Sequence, residues 1–267
     1  MPVRFDIPAL TVAAYRRLWL ERVYVLRLAA IPAAIIFLNA VVVNLALDDV
    51  SILRRGLFMI PAMVAEGWVV LQFLRTLLLN ERWPMPPPPD LSRGVPPALL
   101  RRARDLLSAL IFYVLVSLIA NGMGGVLANF LPRELAPGTT LPPGQQNLAF
   151  IILAVMIVLI AQFRLLWLYI PWVAGGSARA YLAATRPFMI NVQILALWMA
   201  TLLPAFALMI LFGPFAALAN GADVVAYISY LILTFFTTIL QLLMALAVSS
   251  AVAMAVMPLL GIKNDGR

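Results

Sequence analysis

The chain has 267 residues, 64% of them hydrophobic and only 11% charged, with a mean hydropathy of +1.01; an ordinary soluble domain carries about 25% charged residues. No soluble core absorbs that much apolar surface, and long unbroken apolar runs exclude a barrel of alternating strands, so the expected fold class is all-α, a polytopic membrane helix bundle. The net charge is +8, with no cysteine and no histidine, which removes disulfides, thiolate nucleophiles, zinc or haem ligation and imidazole bases together, and no cofactor or metal is expected.

Residues 5–24 precede the first apolar run and lack the small-residue cleavage site of a secretory signal, so they are expected to stay in the mature protein. Thr11, Ala14, Tyr15, Leu18 and Trp19 recur at helical spacing while Arg16 and Arg17 point away, the pattern of an amphipathic helix lying in the membrane interface. Six spans are then expected, over about 26–47, 57–79, 106–131, 148–171, 189–218 and 224–257. Pro32 is a predicted kink in the first, which ends at the charged pair Asp48-Asp49. Arg54-Arg55-Gly56 leads into the second, where Glu66 lies near the middle and Gln72 and Arg75 lie further along.

Pro84 and Pro86 to Pro89 then read as an extended connector. A second basic helix over Leu99, Leu100, Arg101, Arg102 and Arg104 is expected, with Pro96-Pro97 at its start. The third span carries Asn121-Gly122 and Gly124-Gly125, which allow close helix approach or a break. Polar residues 132–146 form a loop. The fourth span holds Gln162 and Arg164, closes on Trp167, Tyr169 and Trp172, and stops at Pro171 and Gly175-Gly176. Ser177 is a plausible cap for a third basic helix, with Ala178, Tyr181, Leu182 and Thr185 on one side and Arg179 and Arg186 elsewhere. A kink at Pro204 or Pro214 is predicted in the fifth span. The sixth carries Gln241 and a ladder of small residues, Ala247, Ala251 and Ala255, with Ala245, Ser249 and Ala253 beside it, suited to close packing. The short polar ends leave no room for a soluble catalytic domain, so residues 1–267 read as one membrane domain.

Grouping the amino terminus, residues 75–105, residues 164–187 and the tail puts sixteen of the nineteen basic residues on one side; Arg54, Arg55 and Arg133 fall on the other. The positive-inside rule then places both termini in the cytoplasm. The same arginines point to contact with anionic phospholipid headgroups, not nucleic acid. Arg17, Arg102 and Arg186 are spaced 85 and 84 residues apart, which suggests a threefold repeat of a basic helix followed by two spans; evenly spaced loops in any six-span protein produce the same periodicity.

Glu66 is the leading candidate for chemistry, because a carboxylate near the bilayer centre costs a few kcal/mol unless it is protonated, paired or wet. It reads either as a proton or cation site or as a buried acid hydrogen-bonded to a neighbouring helix. Arg75 and Arg164 either snorkel to the interface or combine with Gln72, Gln162 and Gln241 in an inner-leaflet pocket for an anionic headgroup. A direct Glu66–Arg164 pair is strained, since Glu66 lies nine residues, about 13 Å, deeper than Arg75 on its own helix. Tyr24, Trp83, Trp167, Tyr169 and Trp172 are placed as interfacial anchors; Trp68 is too deep for that. Enzyme motifs such as HExxH and GxSxG do not occur, and Asp48-Asp49 reads as a solvated turn or an external cation site.

At FRLLWLYIPWVAGGSARAYLAATRP, and again at AYRRLWLERVYVLRLAAIP, the chain resembles bacterial inner-membrane proteins of the YciC type, which are similar to the membrane region attached to some glycerophosphodiester phosphodiesterases. Arg164, Pro171, Gly175-Gly176, Arg179 and Arg186 carry the pattern. The resemblance implies a six-helix envelope protein and no assigned chemistry; with no phosphodiesterase domain in the chain, that activity is not carried over. The expected function is therefore non-enzymatic: an envelope or lipid-associated role in the inner membrane, or a membrane subunit with a protein partner or a second copy. A small transporter or lipid flippase working through Glu66 and the inner-leaflet arginines is the alternative.

Overall fold

Asp6 starts the first helix. Its carboxylate accepts the Ala9 amide at 3.1 Å, and Pro8 sits in the first turn, where a helix needs no amide donor. The computed structural model describes residues 4–46, 52–84, 97–130, 158, 161–219 and 223–261. Helix α1 is Ile7–Leu20. Ala14 and Leu18 are buried as the pattern predicts, whereas Trp19 is 69% exposed. The helix is docked, not merely laid on a surface: the Phe5 amide donates to Gln193 Oε1 at 3.0 Å and the Tyr15 hydroxyl donates to the Thr201 carbonyl at 2.7 Å.

Helix α2, Arg22–Ala46, continues through Pro32. The predicted second span divides at Met59 into α3, Ile52–Phe58, and α4, Ile60–Leu79. Pro61 lacks an amide donor, so α4 begins where that donor is dispensable, and Arg54-Arg55 sit on a helix of their own. Asn80, at φ 54°, ends α4 in the left-handed region that asparagine tolerates.

Helix α5 is Pro97–Phe130, a single helix. The separate basic helix expected around Arg101–Arg104 is thus the first two turns of the third span. Beyond Pro97 no proline and no cap interrupts it, and helical hydrogen bonding continues into the apolar run. Neither alternative for Asn121-Gly122 occurs: α5 passes through without a break, and a side chain built at Gly122 meets only open space. The close approach lies instead at Gly67 of α4, where an added Cβ would stand 2.7 Å from Tyr113 Cδ1 and 3.0 Å from Leu110 Cδ1.

Past a 3₁₀ helix at Phe163–Trp167 come α6, Tyr169–Val173, and α7, Ala178–Ala184. Pro171 lies inside α6, and the stop comes at Gly175, φ +70°. Ser177 caps α7 as expected, its hydroxyl accepting the Ala180 amide, and Tyr181 and Thr185 are buried while Arg179 and Arg186 are exposed. Helix α8, Phe188–Leu211, runs through Pro204 and breaks at Phe212, just before Gly213-Pro214 opens α9, Gly213–Leu218; of the two predicted kink sites, the second interrupts the helix. Helix α10, Val224–Val256, is capped by Asp223 and ends in a 3₁₀ turn, Met257–Leu260.

Among the described residues every regular element is helical. Five stretches are long and apolar enough to cross a membrane: Arg22–Leu45, Ile60–Leu79, Leu99–Gly122, Phe188–Leu211 and Val224–Leu260. That is the signature of a multi-pass membrane protein. Half of the predicted fourth span, 148–171, lies outside the described residues, as do the Asp48-Asp49 turn, Pro86 to Pro89 of the connector, loop 132–146 and the tail beyond Gly261.

Helices α4 and α10 form the centre. In α4, 72% of the most apolar window is buried, against 11% in α5. α4 packs on α2, α5 and α10, while α10 also meets α1, α2 and α8. The small-residue ladder lets α10 serve as this hub: Ala247, Ala251 and Ala255, with Ser249 and Ala253, are all buried. The three basic segments take three forms, a docked helix α1, the opening turns of α5 and the short α7.

Candidate functional site

The six polar residues singled out in the sequence do not converge on one pocket. Glu66, on the buried side of α4, reaches two other helices at once. Its Oε1 accepts the Tyr113 hydroxyl of α5 and its Oε2 accepts Gln241 Nε2 of α10, each at 2.6 Å. Tyr113 in turn meets Tyr169 edge to face, with ring centroids 5.3 Å apart, and the Tyr169 hydroxyl is hydrogen-bonded to Ser249 at 2.9 Å. A polar chain thus ties α4, α5, α6 and α10 together inside an apolar bundle, where each paired group avoids the cost of lying unsatisfied in hydrocarbon.

Arg75 is two and a half turns further along α4. It is 5% exposed, so it does not snorkel. Its Nε and Nη2 donate to Glu81 Oε2 at 3.1 and 2.6 Å, and its Nη1 reaches the Val173 carbonyl at 3.4 Å. The left-handed Asn80 turns the chain so that Glu81 comes back onto α4, and Arg102 of α5 donates to the same Glu81 oxygen. A cavity of about 530 Å³ opens beside this cluster, between the end of α4, the start of α5 and the turn after α6. Gln72, one turn before Arg75, is buried, and its carbonyl accepts the Thr76 hydroxyl at 3.2 Å.

Arg164 belongs to a third group. Its amide donates to Asn191 Oδ1 at 2.7 Å, its Nη1 donates to the Thr185 carbonyl at 2.9 Å, and its own carbonyl accepts the Tyr181 hydroxyl at 2.8 Å. The guanidinium ties the 3₁₀ helix to the end of α7, and the backbone amide ties it to α8; the strained Glu66–Arg164 pair does not form. Burial pushes the Tyr181 phenol above its usual pKa against the opposing pull of Arg164, which keeps it a neutral donor. Tyr181→Phe removes only its hydroxyl and with it the hydrogen bond to the Arg164 carbonyl; we expect a loss of about 1 kcal/mol in detergent-unfolding titrations. Gln162 is exposed and makes no part of this knot.

No family model, curated protein or solved structure matches this chain. The site therefore stands on its geometry.

Two of the predicted interfacial anchors, Trp167 and Tyr169, are buried at 7% and 2% exposure and belong to the core. Trp83 is half exposed and stands edge-on to Trp68, at 5.9 Å. Tyr24 accepts the Trp83 amide at 3.0 Å and the Thr76 hydroxyl at 3.2 Å, fastening the segment after α4. The sequence pattern singles out neither Tyr113 nor Glu81, and it gives Ser249 only a place in the small-residue ladder, not a hydrogen-bonding role. A tyrosine in the middle of an apolar span was the available signal for Tyr113. For Glu81 it was a carboxylate six residues beyond a late arginine.

Proposed function

We propose that this chain is a non-enzymatic, lipid-associated structural component of the bacterial inner membrane, with six crossings and both termini in the cytoplasm. The observation that carries this reading is the state of Glu66: both carboxylate oxygens are taken by side chains from neighbouring helices at 2.6 Å, which makes the residue a clamp. Donors from two neighbouring helices favour a fixed packing role for this carboxylate over that of a proton or cation site, which has to exchange partners during transport. The sixth crossing rests on the apolar run from Leu148, which continues into the short apolar helix at Phe163–Val173. Orientation rests on the sixteen-to-three division of basic residues. The resemblance to YciC-type envelope proteins at the Arg164–Arg186 junction agrees with it.

The test uses full-length protein in proteoliposomes and in detergent. Glu66→Ala strands the Tyr113 hydroxyl and the Gln241 amide, and with membrane hydrogen bonds worth about 0.6 to 1.7 kcal/mol each it is expected to cost about 2 kcal/mol in a detergent-unfolding titration. Glu66→Gln, which keeps one acceptor, should lose about half as much. Proton uptake and lipid scrambling should be the same with and without the carboxylate. A flux that disappears in Glu66→Gln while the fold stays intact would establish the transporter or flippase reading in place of this one.

A further inference from the structure

The cavity at the α4–α5 end carries a charge imbalance that its own residues do not resolve. Three guanidinium groups line it, those of Arg75, Arg101 and Arg102, with the carboxylates of Glu81 and Asp105. Glu81 is shared: one of its oxygens serves both Arg75 and Arg102. Arg75 is spent on Glu81 and the Val173 carbonyl. Asp105 is nearest to Arg104, 3.7 Å away. Arg102 thus uses one nitrogen on Glu81, and Arg101 is exposed with no hydrogen-bond or ion-pair partner among the described residues. Two adjacent residues of α5 turn surplus planar donors toward one space of about 530 Å³, within the range of about 300–1,000 Å³ typical of small-molecule sites.

The rest of the lining is apolar and includes Leu79, Leu99 and Trp172, with the turn after α6 completing it. Leu79 is the last residue of the Ile60–Leu79 span and Leu99 the first of the Leu99–Gly122 span. The cavity therefore lies where two crossings end, with arginines on one side and hydrocarbon-facing helix on the other. Guanidinium groups suit phosphate oxygens, and such a boundary is where phospholipid phosphates sit. A free phosphate ion would leave the apolar walls unused.

We propose that this cavity binds the phosphate of a membrane phospholipid headgroup between Arg101 and Arg102, with Leu79, Leu99 and Trp172 against the glycerol and upper acyl carbons. The assignment rests on the lipid-associated reading above and names the site and the chemical class that reading would use. Glu81 competes with the phosphate for Arg102 and sets the affinity.

The experiment is native mass spectrometry of the full-length chain in detergent micelles, titrated with phosphatidylglycerol. The wild type is expected to retain the lipid. Arg101→Gln, on an exposed helix face, should bind about tenfold more weakly, as expected for one charge-assisted contact. Glu81→Gln, whose amide oxygen can still accept from Arg75 while the charge on Arg102 is freed, should bind severalfold more tightly. A loss in Glu81→Gln as large as that in Arg101→Gln would overturn the proposal, since charge would then not govern the site. Inorganic phosphate displacing the lipid at equal concentration would overturn the lipid assignment in favour of a free-anion site. Unchanged binding in Arg101→Gln, with lipid still retained, would sink the cavity while leaving lipid association intact; a wild type that holds no phospholipid would sink both.

Discussion

Replacing Glu81 with alanine is expected to cost about 3 kcal/mol of unfolding free energy, the largest single effect available outside the spans. Removing one member of a buried ion pair costs about 3–5 kcal/mol, because the charge left behind has lost both water and partner. Arg75 would be that charge: its side chain is 6% exposed, and two of its three donor nitrogens point at Glu81. The low end of the range applies because the Glu81 side chain is 34% exposed and Arg102, at 24%, can turn outward. Arg75→Leu in the Glu81→Ala background should recover most of the loss, since it removes the stranded charge. Detergent-unfolding titrations of the two single variants and the double variant measure this directly; additive losses would show that the two residues do not act as a pair.

Gly67→Val is expected to cost a comparable amount, about 3 kcal/mol, through overpacking of the α4–α5 contact. Even the first carbon of a side chain at Gly67 would come within 2.7 Å of the Tyr113 ring, with Leu110 at 3.0 Å on the same side. A ring yields less readily than the end of a flexible chain, so helices or ring must move. Either movement pulls the Tyr113 hydroxyl away from Glu66, one residue before the glycine. The milder Gly67→Ala should therefore be strongly non-additive with Tyr113→Ala. In the background that lacks the ring, adding the methyl group should cost little, because the obstruction and the hydrogen bond are already gone. A full cost for Gly67→Ala in that background, read by the same titration, would place the strain elsewhere.

The contrast between Gly67 and Gly122 shows where sequence reading reaches its limit. Asn121-Gly122 in the third span reads as a packing site, yet Gly122 faces open space, and the single glycine beside Glu66 admits the neighbouring helix. Small residues permit close approach but do not select the partner; that depends on which bulky side chain stands opposite. The ladder in α10 was legible for the opposite reason. Repetition every four residues defines a continuous narrow face whose use does not depend on one partner.

The candidate site divided in the same way. Glu66 was identifiable because charge in an apolar run is costly wherever the helix packs. Its partners were not, since Tyr113 and Gln241 lie 47 and 175 residues away in the chain, and hydropathy is silent on which helices adjoin. Gln72, Gln162 and Gln241 looked equivalent by position, but Gln72 is buried, Gln162 and Gln241 are exposed, and it is Gln241 that bonds to Glu66.

Composition and the length of the apolar runs were enough to establish a helical, membrane-crossing chain, because backbone amides in hydrocarbon must be satisfied within the segment that carries them. Local chemistry likewise revealed the Ser177 cap, the start at Pro97 and the buried face of α7, all decided within a few residues. Packing alone determined that Arg75 turns inward to Glu81, that Trp167 and Tyr169 enter the core, and that Glu66 clamps three helices. The outcome for a long polar or aromatic side chain at a span end depends on whether a partner from a distant helix reaches it before water does, and that competition is settled by helix arrangement in space.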